Sequence, residues 1–95
     1  MPWAMQTTLV TGSNRGIGLE LVAQLAARGD RVIAACRNTS EGLDTLAAAH
    51  PDRVRIVADV DVTSDASVKA LAEKVAAGPW AQLDVLVLNA GIMLS

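Results

Sequence analysis

A glycine-rich turn at residues 11–18, with the sequence TGSNRGIG, decides much of what this chain can form. Before it lies a short β-branched and apolar stretch, residues 6–11, which predicts a buried strand. After it, apolar residues recur at the three- and four-residue intervals of a helix: Ile17, Leu21, Val22 and Leu25. A strand, a bare turn and a helix in this order predict a βα unit whose turn presents backbone amides to a ligand.

The rest of the chain continues the alternation of strands and helices. Further apolar runs predict strands at residues 31–36, 54–58 and 83–88. Two more helical patterns lie between them, with apolar positions Leu43, Leu46 and Ala47 in the first and Val68, Leu71, Ala72 and Val75 in the second. Glycine or proline is expected to end each helix, at Gly29, Pro51 and Gly78-Pro79. Thr63 or Ser64 can cap the third helix.

The β-α-β-α-β-α-β pattern predicts an α/β fold. Continuous apolar strands separated by helices indicate a parallel sheet covered on both faces. Right-handed crossovers favour the doubly wound, Rossmann-like strand order 3-2-1-4, with a ligand at the switch point between the first and fourth strands. We expect residues 1–95 to form one nucleotide-binding domain, truncated after the fourth strand.

The predicted fourth strand would form an exposed apolar edge of the sheet: Leu83, Val85, Leu86, Val87 and Leu88. Unpaired edges of this kind pair with other chains or aggregate. We therefore expect either a partial sequence or a partner that carries the second half of the sheet.

Composition excludes several classes of function. Hydrophobic residues make up 52% of the chain and charged residues 19%, which argues against disorder. The net charge of −2 and the dispersed cations predict no nucleic-acid partner. No apolar stretch approaches the roughly 20 residues of a membrane span, and residues 1–5 do not resemble a signal peptide. With Cys36 as the single cysteine, we expect a cytoplasmic protein without membrane partners.

The glycines of the turn suit a diphosphate. Side chains there would keep phosphate oxygens away from the backbone amides, and the N-terminus of the following helix adds a partial positive charge. Gly12 can adopt a turn conformation that other residues avoid, and Gly18 permits close contact between helix and strand. The spacing is neither Gly-x-Gly-x-x-Gly nor a P-loop, because no Gly-Lys-Ser/Thr is present. A glycine-rich turn without a ligand is the alternative.

The end of the second strand indicates which dinucleotide binds. An acidic residue at this place would bind a ribose 2′-hydroxyl, whereas an arginine accommodates a 2′-phosphate. Here Arg37 stands at that place, and Arg15 within the turn can reach the same region. Paired guanidinium groups bind phosphate well, so we predict NADP(H), with NAD less favoured. The alternative is that both arginines are solvated surface charges.

Three motifs together resemble the short-chain dehydrogenase/reductase family across essentially the whole chain. The turn resembles the family's TGxxxGxG motif, Asp61-Val62 its DV pair, and Asn89-Ala90-Gly91 its NAG motif, although Leu88 stands where many members have a further Asn. Residues 15–20 are similar to the carbonyl-reductase-like branch. The resemblance and the preceding arguments assign these residues to the coenzyme: Gly12, Ser13, Asn14, Arg15, Gly16, Ile17, Gly18, Arg37, Asn38, Asp61, Val62, Asn89, Ala90 and Gly91.

For the adenine, the resemblance implies that the Asp61 carboxylate accepts a hydrogen bond from the amino group and that the Val62 amide donates to the ring. Asp59 is a second candidate carboxylate after the third strand, for which loop solvation or helix capping is the favoured interpretation. Loop solvation and capping also remain open for Asp61.

The resemblance implies an NADP(H)-dependent oxidoreductase acting on a small carbonyl or alcohol, and a complete protein that forms homo-oligomers. Family members use a Ser, a Tyr and a Lys that follow the NAG motif, and this sequence contains no Tyr. We therefore predict no catalytic residue here and expect this chain alone to be inactive. His50 is expected to be a surface residue and Cys36 a packing residue.

Two other functions remain open from the sequence. One is a non-catalytic NADP-binding module that acts through a partner. The other is a different βα nucleotide binder, such as a methyltransferase that uses S-adenosylmethionine. Arg15 and Arg37 argue against the methyltransferase, because that ligand carries no phosphate.

Overall fold

The computed structural model describes residues 5–78, 80 and 82–88. The elements follow the predicted alternation: β1 (Thr7–Thr11), α1 (Gly16–Ala27), β2 (Arg31–Ala35), α2 (Glu41–Ala49), β3 (Val54–Val57), α3 (Asp65–Ala77) and β4 (Val85–Val87). Each strand is shorter than its apolar run in the sequence. The predicted NAG motif, Asn89-Ala90-Gly91, lies outside the described residues.

The strands form a parallel sheet in the order β3-β2-β1-β4, which confirms the predicted topology. β1 lies between two neighbours, with Thr8 aligned with Val32 of β2 and with Val85 of β4. All five residues of β1 are buried. A central strand covered on both faces needs no polar alternation, which is why its sequence is apolar and β-branched throughout.

The core has two layers, one on each face of the sheet, because successive strand residues point to opposite faces. On one face, α1 and α2 cover strand residues that include Val10, Val32, Ala34 and Val54. On the other, α3 covers Leu9, Ile33, Ala35 and Val57 through Leu71 and Val75. This two-sided cover is what the sequence pattern predicted.

In α1 and α3, some of the apolar residues at helical spacing do not face the core. Ile17 is 81% exposed, because it lies in the first turn of α1 beyond the end of the strand that this helix covers. Val68 is 43% exposed and Ala72 is also exposed, so that α3 contacts the sheet through Leu71 and Val75. The helical spacing of Ile17, Val68 and Ala72 is therefore confirmed, since they lie in α1 and α3, but their side chains are exposed.

The ends of the helices largely follow the sequence. Gly29 adopts φ 99° directly after Arg28, the C-cap of α1, as expected of a glycine that ends a helix. Ser64, rather than Thr63, caps α3, and Gly78 ends it. Within the part of the chain that the structure describes, no helix is both long and apolar enough to cross a membrane.

Four of the five residues predicted on the exposed edge are exposed: Leu83, Val85, Leu86 and Leu88, at 37%, 38%, 56% and 73%. The fifth, Val87, is half-buried and packs against the core on the face that α1 and α2 cover. β4 is nevertheless held firmly to the sheet at its start. The Asp84 amide donates to the Thr7 carbonyl at 2.8 Å, and the Thr7 amide donates back to Asp84 Oδ2 at 2.8 Å.

Candidate functional site

A cavity of about 590 Å³ lies at the carboxyl ends of β1, β2 and β3. Three stretches of chain line it: Thr11, Gly12 and Asn14–Ile17 from the glycine turn; Ala35–Asn38 after β2; and Val60–Thr63 after β3. In a parallel doubly wound sheet, this edge is where ligands bind. The fold thus brings three separate parts of the predicted site to one cavity.

The glycine turn lines this cavity with little side-chain bulk. Gly12 and Gly16 adopt φ 62° and φ 60°, which lie in the left-handed region that favours glycine. A methyl group built on Gly16 would meet no atom within 4 Å, so the space beside this residue is open. The open space could admit a ligand to the start of α1.

The N-terminus of α1 differs from those of the other two helices. Ser40 caps α2 by accepting a hydrogen bond from the Leu43 amide, and Ser64 caps α3 by accepting from the Ser67 amide, each at 3.2 Å. The residue at the equivalent place before α1 is Arg15, whose side chain makes no capping hydrogen bond. The first turn of α1 also contains no acidic residue, whereas Glu41 and Asp65 stand in the first turns of α2 and α3. The partial positive charge at the start of α1 is therefore not offset by a capping side chain or by an acid in its first turn.

Ser13 occupies a different place from the neighbouring residues of the turn. It is fully buried, and its hydroxyl donates to the Ala35 carbonyl at 3.0 Å. Its amide donates to the same carbonyl at 3.3 Å. These bonds tie the glycine turn to the end of β2, so the structure assigns Ser13 to the support of the turn and not to the cavity wall. Gly18 is likewise buried within α1.

Both predicted phosphate-binding arginines line the cavity. Arg15 and Arg37 are exposed, as is Asn38. Arg15 forms no ion pair with any residue that the structure describes, whereas Arg37 Nη2 lies 3.2 Å from Asp61 Oδ1. The two arginines come from different loops and line the same cavity, which favours a binding role over two unrelated surface charges.

Asp61 is held by its own loop. Thr63 donates to Asp61 Oδ1 twice, from its amide at 2.9 Å and from its hydroxyl at 2.6 Å. These hydrogen bonds, together with the Arg37 guanidinium, lower the pKa of the Asp61 carboxyl from its usual value of 3.8. Asp61 is therefore ionised at neutral pH. Its neighbour Val62 also lines the cavity and is 46% exposed.

Asp59 is not among the cavity residues. It adopts φ 64°, and its amide donates to the Arg37 carbonyl at 3.0 Å. The Val60 amide donates to the Cys36 carbonyl, also at 3.0 Å. These bonds join the loops after β2 and β3, which agrees with the preference for a loop role at Asp59.

Five residues that line the cavity were not among the predicted site residues: Thr11, Ala35, Cys36, Val60 and Thr63. Thr63 was considered only as a helix cap, although its hydroxyl fixes Asp61. Cys36 was considered a packing residue; it is 2% exposed and also lines the cavity. Burial, with the nearby carboxylates of Asp44 and Asp59, raises the pKa of the Cys36 thiol, which makes it a poor nucleophile. Its position directly before Arg37 was the available indication that it lies at the site.

His50 follows the last residue of α2 and is not one of the cavity residues. Among residues 5–78, 80 and 82–88, no group of three or more His, Cys, Asp or Glu side chains is placed to hold a metal ion.

Sequence comparison matches residues 6–95 to the family model described as short chain dehydrogenase. A curated relative, (+)-neomenthol dehydrogenase of Arabidopsis thaliana, is 39% identical over 89 residues, which cover 88% of this chain and 30% of the relative. The chain thus spans about 30% of the length of such relatives.

Solved structures share the fold. Menthone neomenthol reductase from Mentha piperita has a TM-score of 0.82 at 35% identity, over 95% of this chain and 33% of that one. L-sorbose reductase from Gluconobacter frateurii, solved in complex with NADPH and L-sorbose, has a TM-score of 0.79 at 32% identity, over 94% of this chain and 34% of that one.

Proposed function

The chain belongs to the short-chain dehydrogenase family, and on that basis we propose that it binds NADP(H) as the coenzyme-binding part of an oxidoreductase. The reaction class is transfer of hydride between the nicotinamide and a small carbonyl or alcohol. The observation that carries the proposal is the uncapped N-terminus of α1 beside the cavity that Arg15 and Arg37 line.

The residues of the cavity suit the parts of a dinucleotide. The bare turn and the N-terminus of α1 offer amides and a partial positive charge to a diphosphate. The open space at Gly16 lets an anion come close to those amides. Asp61, fixed by Thr63 and ionised, can accept a hydrogen bond from the adenine amino group, and Val62 lies beside it.

The preference for NADP(H) rests on Arg15 and Arg37. Both line the same cavity, and no acidic residue stands at the end of β2, where one would bind a ribose 2′-hydroxyl. Charge-assisted hydrogen bonds from guanidinium groups to a phosphate are about twice as strong as neutral ones. The complex of L-sorbose reductase with NADPH lends support from a relative with the same fold.

The chemistry divides between coenzyme and protein. When bound, the coenzyme supplies the hydride. The residues of this chain hold its diphosphate and adenosine ends and thereby set its position. The sequence contains no Tyr, so proton transfer by a phenol, which the family resemblance implies, has no donor among these residues.

Titration calorimetry of the intact chain with NADPH and with NADH tests the coenzyme assignment. We expect NADPH to bind more tightly. Arg37→Ala should weaken NADPH binding by about 10- to 100-fold, the range for a lost hydrogen bond to a charged group, and leave NADH nearly unaffected. Lys69→Ala, which removes an exposed cation from α3 outside the cavity, is the matched control and should change neither. Equal affinity for both coenzymes would contradict the assignment.

A second experiment addresses turnover. Oxidation of NADPH is followed by absorbance in the presence of small ketones and aldehydes. We expect the 95-residue chain to bind NADPH without turning it over. Sustained NADPH consumption that depends on the carbonyl compound would show that another group acts as the proton donor.

A further inference from the structure

We propose that Arg37 and Asp61 form a coupled pair that sets coenzyme choice, in which Arg37 masks a carboxylate that would otherwise repel a 2′-phosphate. The inference rests on the proposed function and deepens it. It gives Arg37 two tasks, attraction of the phosphate and neutralisation of Asp61. It also makes Asp61 a determinant of specificity as well as a possible partner of the adenine.

The geometry of the pair supports this coupling. Arg37 Nη2 lies 3.2 Å from Asp61 Oδ1, and both residues line the cavity. Asp61 is the fixed member. Its Oδ1 accepts two hydrogen bonds from Thr63, and its amide donates to Ser67 Oγ at 2.7 Å. Arg37 is the adaptable member, since its side chain is 67% exposed against 37% for Asp61.

All the hydrogen bonds and the ion pair that Asp61 forms through its carboxylate involve Oδ1. Oδ2 accepts no hydrogen bond from any residue that the structure describes. The Asp61 side chain is partly exposed and lines the same cavity as Arg37, so its negative charge lies beside the guanidinium group that is expected to hold a phosphate. A phosphate bound to Arg37 would lie within range of this negative charge.

The charges at the opening can be counted. Arg15, Arg37 and Asp61 together carry a net charge of +1, which suits an anion. Without Arg37, the charges of Arg15 and Asp61 cancel, and the carboxylate of Asp61 remains ionised and unpaired. The loss of Arg37 should therefore weaken phosphate binding for two reasons: the contact with the phosphate is lost, and the Asp61 carboxylate is no longer neutralised.

The test is a double-mutant cycle on the intact chain with four proteins: the unaltered chain, Arg37→Ala, Asp61→Asn and the double variant. Dissociation constants for NADPH and NADH are measured for each protein, and the ratio of the NADH constant to the NADPH constant is compared among the four proteins. The ratio isolates the 2′-phosphate, because a change in adenine contacts or in general folding affects both coenzymes alike. Asn at position 61 retains a carbonyl oxygen that can accept from Thr63.

We expect Asp61→Asn to restore part of the NADPH preference in the Arg37→Ala background, by at least about fivefold, the factor for like charges about 4 Å apart in bulk water. In the presence of Arg37, the same substitution should change the preference by a clearly smaller factor. The recovery should shrink as salt is raised from about 0.05 M to about 0.5 M, because exposed charges are screened. Arg37→Gln provides a second background should Arg37→Ala fold poorly, which circular dichroism detects.

Thr63→Val is the control for a merely structural role. It removes the hydroxyl that positions Asp61 and keeps the carboxylate charge. In the Arg37→Ala background, it should leave the NADPH preference low. A recovery equal to that of Asp61→Asn would overturn the electrostatic explanation.

The outcomes separate this inference from the proposed function. An unaltered chain without preference for NADPH overturns the coenzyme assignment and the inference with it. A chain that prefers NADPH and loses this preference in Arg37→Ala, with no recovery in the double variant, overturns the inference alone.

Discussion

The N-termini of α1 and α3 lie in the same kind of place, each in a crossover that follows a strand of one parallel sheet, and they are completed differently. α3 has Ser64 as its cap and Asp65 in its first turn. α1 has Arg15 at the cap position, no capping hydrogen bond and no acid in its first turn. The chain caps the start of α3 with its own side chain, whereas the start of α1 receives neither a side-chain cap nor an acid in its first turn, and this difference is why we propose that an anion binds at α1.

Gly16→Asp should have the largest effect, because it gives α1 the acidic first turn that α3 has. The substitution places a carboxylate in the open space at the start of α1, as Asp65 stands at the start of α3. Like charges placed side by side cost several kcal/mol, so we expect NADPH binding to weaken by at least about 100-fold in calorimetry. Gly16 adopts φ 60°, a value that strains residues with a side chain, so Gly16→Asp should also reduce the free energy of unfolding by about 1 kcal/mol.

Gly16→Asn is the matched control for that substitution. Asn has nearly the same size and tolerates the left-handed region equally well, but it carries no charge. It should weaken NADPH binding clearly less than Asp does. Equal losses in the two variants would mean that bulk, and not charge, excludes the coenzyme.

Arg15→Ser places at the cap position of α1 the residue type that caps α3. Arg15 has the extended conformation of a capping residue, φ −162° and ψ 171°, but Gly16 after it adopts φ 60°, which is not a helical value. Arg15→Ser should therefore raise the free energy of unfolding in urea by less than the ~1 kcal/mol of an ordinary serine cap. It should also weaken NADPH binding by about tenfold through loss of the guanidinium. A variant that binds NADPH as tightly as the unaltered chain would remove Arg15 from the proposed site.

Ser64→Ala should affect stability alone. It removes the side chain that accepts from the Ser67 amide and should lower the free energy of unfolding by about 1 kcal/mol. Ser64 does not line the cavity, so NADPH affinity should be unchanged. Ser64→Asp keeps a capping oxygen and should retain the stability. A loss of coenzyme affinity in Ser64→Ala would show that the two helix ends are not independent.

The smallest expected effect is on how the free energy of unfolding changes as the pH is lowered. The pKa of Asp61 is lower in the folded chain than its usual 3.8, so its contribution to stability is present above that value and is lost as the pH falls through the folded pKa. Urea unfolding between about pH 5 and pH 2 should therefore show a decline in the unaltered chain that is smaller in Asp61→Asn. Identical declines would mean that the Thr63 and Arg37 contacts do not stabilise the folded chain.

The periodicity of the sequence was enough to predict the elements, because helical and strand repeats and turn residues are local properties. The strand order was predicted from the alternation of strands and helices together with the rule of right-handed crossovers. Periodicity was less successful where burial depends on the position of an element over the sheet. Ile17 has helical spacing with Leu21, but it lies beyond the strand ends and is exposed. Spacing along a helix identifies a face and does not say where that face stops meeting the sheet.

The sequence alone determined the glycine turn after β1, the arginines at residues 15 and 37, and the parallel sheet that brings their loops to one edge. Only the tertiary structure decided that Ser13 turns inward to Ala35, that Thr63 fixes Asp61, and that Asp61 pairs with Arg37. The physical reason is distance along the chain. Arg37 and Asp61 belong to different loops, and whether two such side chains meet depends on the register and twist of the strands that carry them, which no local pattern encodes.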